Sequence, residues 1–159
     1  MYERAATLIE SAKEILLFDL FPGPLIVLGP LLLKAYARAV KVAGIVYDAS
    51  QDWPFVAEMA DSSEFVTERW PGSQLTLIAD AREYLVALLS GDDEQAKHAV
   101  WSDSVYLACL QHSGLAAEIR IAAAQHDQSD PRSAISLLRS YPPGLRTLIG
   151  PSQVVEKEQ

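Results

Sequence analysis

Three aspartates, Asp19, Asp48 and Asp80, each close an apolar run, and Trp53 follows the second of them by a few residues. Carboxylates at strand ends stand where open α/β sheets hold ligands, outside the carboxyl ends of the strands. With the Trp53 indole as an aromatic wall, the three carboxylates read as the lining of a polar ligand pocket. The competing use of each aspartate is as a turn or cap residue, since Asp accepts hydrogen bonds from its own local backbone.

The remaining reactive side chains point to less. Cys109 is the only cysteine and lies in a helical run beside Leu107 and Leu110, which predicts a buried thiol, no intrachain disulfide and a reducing, cytoplasmic setting. His98, His112 and His126 have no cysteine or carboxylate at zinc-ligand spacing. Cys109 and His112 share one helix face, but a closed metal site needs about four ligands, so neither a metal nor a cofactor is expected. Asp92-Asp93-Glu94 lacks the alternating oxygen ligands of a calcium loop and reads as a solvated turn. Trp70 and Trp101 are expected to bury their rings and bond their indole N–H groups, either being able to stack on a flat ligand.

The elements that must position these groups follow from periodicity. Ala5, Leu8, Ile9 and Ala12 recur at helical spacing within 2–13, with Glu3, Arg4, Glu10 and Lys13 opposite. The nearly unbroken apolar run over 14–20 suits a strand covered on both faces. Pro22 and Pro24 stop it, and a helix over 25–39 is expected to begin at Pro30, where a missing N–H costs nothing. Residues 41–47 form the next strand, so the first half is one βαβ unit with a helical lead-in.

Further along, Asp52 as N-cap and Pro54 in a first turn predict a helix over 53–60, and 64–67 reads as a brief strand. Strands are expected at 74–78 and 84–89, joined by the tight turn Asp80-Ala81-Arg82, and at 98–101. The longest helix spans 105–125, with Gly114 weakening it by roughly 1 kcal/mol relative to alanine. Residues 126–131 read as a linker. The tail beyond holds a short helix at 133–140, a break at Pro142-Pro143-Gly144 and a polar terminus. The division is a domain over 1–126 and a linker with tail over 127–159.

Composition excludes several function classes. At 159 residues, half of them hydrophobic, the chain can bury one core. A net charge of −8 opposes broad attraction to nucleic acid or an anionic membrane. The first residues lack the layout of a signal peptide, and Pro30, Lys34 and Arg38 interrupt the apolar stretch after Leu25 well short of a membrane span.

The run from Tyr2 to Leu17, the Pro-containing turn and the run from Leu33 to Val42 resemble the phospholipase D-like effector domain of TrmB-type transcriptional regulators. The pairing of 75–80 with 99–102, followed by a long helix, fits the same pattern over roughly residues 2–125. Ala39 stands where that family usually has glycine. The resemblance implies an α/β, phospholipase D-like mixed sheet flanked by helices. Such regulators carry a winged helix-turn-helix ahead of this domain, and none precedes Tyr2, so the sensor half is implied and direct nucleic-acid binding by this chain is not.

Phospholipase D enzymes use His-x-Lys-x-x-x-x-Asp, in which the histidine takes the phosphoryl group and the lysine stabilises charge on its oxygens. Placing Asp80 on the motif's aspartate puts Ser73 on its histidine and Leu75 on its lysine. The expectation is therefore a catalytically inactive domain that senses a small-molecule effector, a sugar or other metabolite, through Asp19, Asp48, Trp53 and Asp80. Short edge strands and apolar helices predict a homodimer. The alternative is a protein-interaction module without a small ligand, whose tail docks on a neighbour. A phosphodiesterase-like hydrolase carries the least weight.

Overall fold

A computed structural model describes residues 1–48, 52–60, 63–91, 95–125 and 141–150. The elements run α1 (Tyr2–Ser11), β1 (Ile15–Leu20), α2 (Pro22–Ala37), β2 (Lys41–Val46), β3 (Val56–Met59), α3 (Ser63–Arg69), β4 (Ser73–Ala79), β5 (Glu83–Leu89), β6 (Ala96–Ser102), α4 (Val105–Gln125) and α5 (Pro143–Ile149). The six strands form one mixed sheet in the order β3-β2-β1-β4-β5-β6. The β1–β2 and β2–β3 pairs are parallel, and the β1–β4, β4–β5 and β5–β6 pairs are antiparallel.

Period two divides the central strands between two cores. Leu16, Phe18 and Leu20 of β1 pack under α1 and α2 with Leu75 and Leu77 of β4, whereas Ile15, Leu17 and Ile78 pack under α4 with Leu115 and Ile119. Every residue of β1 is buried, as its nearly unbroken apolar run predicts for a strand covered on both faces. Asp19, the one charge in that run, points with Leu17 toward the α4 side and is set opposite Thr76 of β4 and Ile45 of β2. Gly44 of β2 allows this close packing: a Cβ there would stand 2.3 Å from the Phe18 carbonyl oxygen.

Several sequence expectations are corrected. The second helix starts at Pro22, not Pro30, with prolines in its first turn, and it runs through Pro30. Pro30 is tolerated because it lies on the solvent side near Ile26, whose carbonyl it leaves without an intrahelical donor. The predicted helix at 53–60 contains strand β3, since pairing of Val56–Met59 with Ala43–Val46 outweighs the local capping pattern. The predicted strand at 64–67 lies inside α3. Pro142 does not end structure but caps α5, whose first residue is Pro143. The expected linker at 126–131, the short helix at 133–140 and the acidic run Asp92-Asp93-Glu94 lie outside the described residues.

Among the described residues no helix is long and apolar enough to cross a membrane. At one edge of the sheet, β6 is exposed along nearly its whole length: Val100 is 56% and Trp101 41% exposed.

Candidate functional site

Asp19 is the chemical centre of the sheet's α4 face. Its residue is only 6% exposed. Gln74 Nε2 donates to Oδ2 at 2.6 Å. The Tyr47 hydroxyl approaches the same carboxyl, yet Oδ1 closes no hydrogen bond with any described residue. Burial raises the carboxyl's pKa from 3.8 to about 6; Tyr47 and Gln74 oppose the rise, and the negative charge of Glu118 on α4 adds to it. The same burial, with Asp19 and Glu118 nearby, pushes the Tyr47 phenol well above its ordinary value.

A cleft of about 340 Å³ opens at Asp19 between α4 and the β1–β4–β5 surface. Gln74 and Thr76 of β4, Gln111 and Glu118 of α4, and the half-exposed Trp70 supply its other polar and aromatic groups. The volume sits at the low end of the range of roughly 300–1,000 Å³ for small-molecule sites. Among the described residues that line it there is no lysine or arginine.

The four residues singled out from sequence are not brought together. Asp19 occupies this cleft, and Asp48 is exposed just beyond β2, at the same end of the sheet. Trp53 lies against the opposite face, where its ring stacks on Phe55 at 5.1 Å and packs so closely on Gly29 of α2 that a Cβ there would come within 2.8 Å of it. Asp80 ends an antiparallel strand and therefore sits at the far end of β1. Its Oδ1 accepts from the backbone N–H of Glu14 and Ile15, both at 2.9 Å, and its Oδ2 from Lys13 N–H at 3.0 Å. Asp80 borders a second cleft, of about 430 Å³, with Lys13, Arg82 and Arg146, but its carboxylate is committed to starting β1. Arg82 is held by Thr147 and the Pro143 carbonyl, and Arg146 by Glu14.

Other expectations divide in the same way. Cys109 is buried with its Sγ 3.6 Å from the Ala81 carbonyl oxygen, and burial raises its pKa. His112 is fully buried on the same helix face. The described residues hold no group of three His, Cys, Asp or Glu placed for a metal ion. Trp70 and Trp101 keep 46% and 41% of their surface exposed rather than burying their rings. Trp101 Nε1 donates to Glu83 at 2.5 Å, and Arg4 lies 4.4 Å over its ring. Gln74, Thr76 and Glu118 were missed; the available signal was two polar residues on one face of an otherwise apolar strand.

Leu75, on the position of the phospholipase D lysine, is fully buried under α1 and α2, and Ser73 opens β4.

No protein-family model and no curated protein matches the sequence. Among solved structures the chain is similar to TrmBL2, an archaeal chromatin protein whose structure shows a novel mode of DNA binding, with a TM-score of 0.55 and 15% identity over 76% of this chain and 48% of that one. It is also similar to Nuc from Salmonella typhimurium, a phospholipase D family member, with a TM-score of 0.50 and 12% identity over 78% of this chain and 87% of the other. At these identities the likeness is one of fold: a phospholipase D-like mixed sheet flanked by helices, shared with a TrmB-like protein. The chain spans about half the length of the TrmBL2 chain.

Proposed function

We propose that this chain is a catalytically inactive ligand-sensing and dimerising domain related to TrmB-type transcriptional regulators. One observation carries the reading: the Asp19 cleft and an uncovered apolar stripe share the same helix. On α4, Leu107, Leu110, Gly114, Ala117 and Ile121 recur at alternating spacings of three and four and are all exposed, while Ala108, Leu115, Ile119 and Ala122 on the other side are buried against the sheet. A helix with a second apolar stripe beside the one packed on the sheet has a second surface to cover.

A second copy fits that stripe. Antiparallel pairing about Gly114 sets Leu107 against Ile121 of the other copy, Leu110 against Ala117 and glycine against glycine, so bulk at the ends flanks a close crossing at the centre. Glu118 then falls near an uncharged Gln111, with no like-charge conflict. Gly114 and Glu118 also line the cleft, so a bound effector would bear directly on the pairing. Uncovered apolar residues on α2, chiefly Ile26 and Val27, lie across the sheet from the cleft.

Catalytic inactivity is supported by the chemistry at the motif positions. A buried leucine cannot hold phosphate, a serine at position 73 has no histidine's nucleophilicity, and Asp80 is engaged by three backbone donors. A cytoplasmic setting belongs to the same reading and is supported by the single buried cysteine.

A second reading, a protein-interaction module without a small ligand, is favoured by β6, an edge strand whose residues are almost all exposed. Light scattering and a thermal-shift screen of sugars, sugar phosphates, nucleotides and small metabolites separate the two. The sensor should be a dimer that Leu110→Glu splits and Ile26→Glu does not. A true effector at a hundred times its Kd adds about 2.7 kcal/mol and shifts melting by several degrees. A dimer with a blank screen favours the interaction module, and a monomeric wild type with a blank screen overturns the proposal.

A further inference from the structure

The chemistry of the Asp19 cleft selects among ligands. Among the described residues, its two ionisable walls, Asp19 and Glu118, are both acids, and its other polar side chains, Gln74, Gln111 and Thr76, are neutral. Asp19 Oδ1 is buried without a hydrogen-bond partner among the described residues, although the Tyr47 hydroxyl approaches the carboxyl, and Asp19 lines the cleft. An unsatisfied buried carboxylate oxygen is costly, and a ligand that brings a charged donor relieves that cost. Trp70 stands at the rim with its ring half exposed, in reach of a cation that enters.

We propose that this cleft takes a small organic cation, an ammonium or amidinium group that donates to Asp19 and is held against Glu118 with Trp70 as its aromatic wall. The inference rests on the reading of the cleft as the effector site and narrows its occupant. Among the described lining residues, phosphorylated and carboxylate metabolites meet two acids and no basic residue, in a chain of net charge −8. A neutral sugar supplies hydroxyl donors but leaves the Asp19–Glu118 repulsion in place. A divalent metal lacks its ligands, since no group of three His, Cys, Asp or Glu converges among the described residues.

Proton linkage follows from the same geometry. The groups that face Asp19 are Tyr47 after β2 and Glu118 on α4; the neighbours from β4 and β5, Gln74, Thr76 and Val86, do not titrate. A cation favours the ionised carboxyl, so binding near pH 6 should release about half a proton per site.

The test is calorimetric titration and thermal shift of the full chain with agmatine, putrescine and choline, against glucose, inositol and magnesium chloride. At least one of the three cations should raise the melting temperature with concentration dependence and release protons at pH 6 in two buffers of different ionisation enthalpy. Affinity should fall about tenfold or more in Asp19→Asn and in the exposed Glu118→Gln, because a charge-assisted hydrogen bond is lost in each. Asp19→Asn removes a buried charge and should fold, so its loss of binding is interpretable. Equal cation binding by wild type and Asp19→Asn overturns the proposal. Glucose or inositol binding that depends on Asp19, without cation binding, overturns the cation class and leaves the effector site standing. Magnesium binding that depends on Asp19 overturns the organic class. No response to any of the three cations also overturns it, while the wider metabolite screen decides separately whether the cleft holds an effector.

Discussion

Gln74 Nε2 donates to Asp19 Oδ2 at 2.6 Å on the diagonal of the β1–β4 pair, and the backbone of the same glutamine accepts from Phe21 N–H at 3.1 Å. One residue thus fixes both the end of β1 and the carboxylate of the candidate site. It does not neutralise that carboxylate. An amide donor lowers the cost of the buried charge without matching it, which is why the pKa stays near 6.

That shift makes a stability prediction of definite sign. The folded-state pKa lies above the unfolded value of 3.8, so between about pH 4 and 6 the folded chain holds more protons than the unfolded one. The Asp19 contribution to stability therefore grows as pH falls from 7 toward 4, and above pH 6 it is a constant penalty of roughly 1–3 kcal/mol. Asp19→Asn should raise the melting temperature at pH 7 by several degrees and flatten the profile between pH 4 and 6. Urea unfolding at pH 4.5 and 7 checks it; a variant less stable than wild type at pH 7 would contradict the burial argument.

Ala39 gives a prediction of the opposite kind, a gain by relaxation. The end of α2 is a Schellman arrangement, with Val40 N–H bonded to the Ala35 carbonyl and Ala39 N–H to the Tyr36 carbonyl. This geometry needs a left-handed residue, and Ala39 adopts φ 64° there. The strain costs roughly 1–2 kcal/mol in an L-residue, and the extra unfolded-state freedom of glycine returns part of that. Ala39 is exposed, so its methyl contributes little packing. Ala39→Gly should stabilise by about 0.5–1 kcal/mol in denaturant titration, and a loss of stability would show that the strain is absent.

The same residue illustrates what the sequence can tell. Its place at the end of a helical run was legible, and so was β1, because an apolar run long enough for a strand has no other stable place than a covered one. Less legible were segments whose fate depends on distant partners. Residues 56–59 carry helix-like caps, yet they extend because the β2 edge at 43–46 offers a parallel partner. Residues 64–67 carry strand-forming types and coil into α3. Pro30 marks a helix start only until Pro22 supplies an earlier one. Within the site, Asp19 could be read from its strand, whereas Glu118 reaches it from a helix a hundred residues away. Trp53 and Asp80 misled because a residue's position after a strand does not say which face, or which end of the sheet, it reaches.

Asp80 should behave as a structural residue. Its two oxygens accept three backbone N–H groups at the start of β1, among them that of the buried Ile15. Asp80→Ala leaves these donors without an acceptor and should destabilise by about 2–4 kcal/mol, with Asp80→Asn, which keeps one acceptor oxygen, losing roughly half as much. Binding at the Asp19 cleft should survive in whatever fraction remains folded. Loss of binding with unchanged stability would instead return Asp80 to the list of ligand residues.

The helix α5 is held at the opposite end of the sheet by backbone contact, and this sets the last prediction. Gly144 N–H bonds to the Asp80 carbonyl at 2.9 Å, and a Cβ at Gly144 would stand 1.8 Å from the Ala81 carbonyl oxygen. Neither side can yield easily, because Asp80 and Ala81 form a tight turn with φ of 54° and 51° and Ala81 is fully buried. The Arg146–Glu14 ion pair is solvent-exposed on both sides and adds little by itself. The close approach of glycine and the packing of α5 on α4 therefore seat the helix together, and Arg82, bonded to Thr147 and the Pro143 carbonyl, adds to them. Gly144→Ala should displace α5, with faster hydrogen exchange over 143–149, unchanged protection in β1 and β4, and a loss of about 1–3 kcal/mol. Unaltered exchange over 143–149 would mean that the turn at Asp80 and Ala81 gives way instead, and then protection at Ile15 should fall with it.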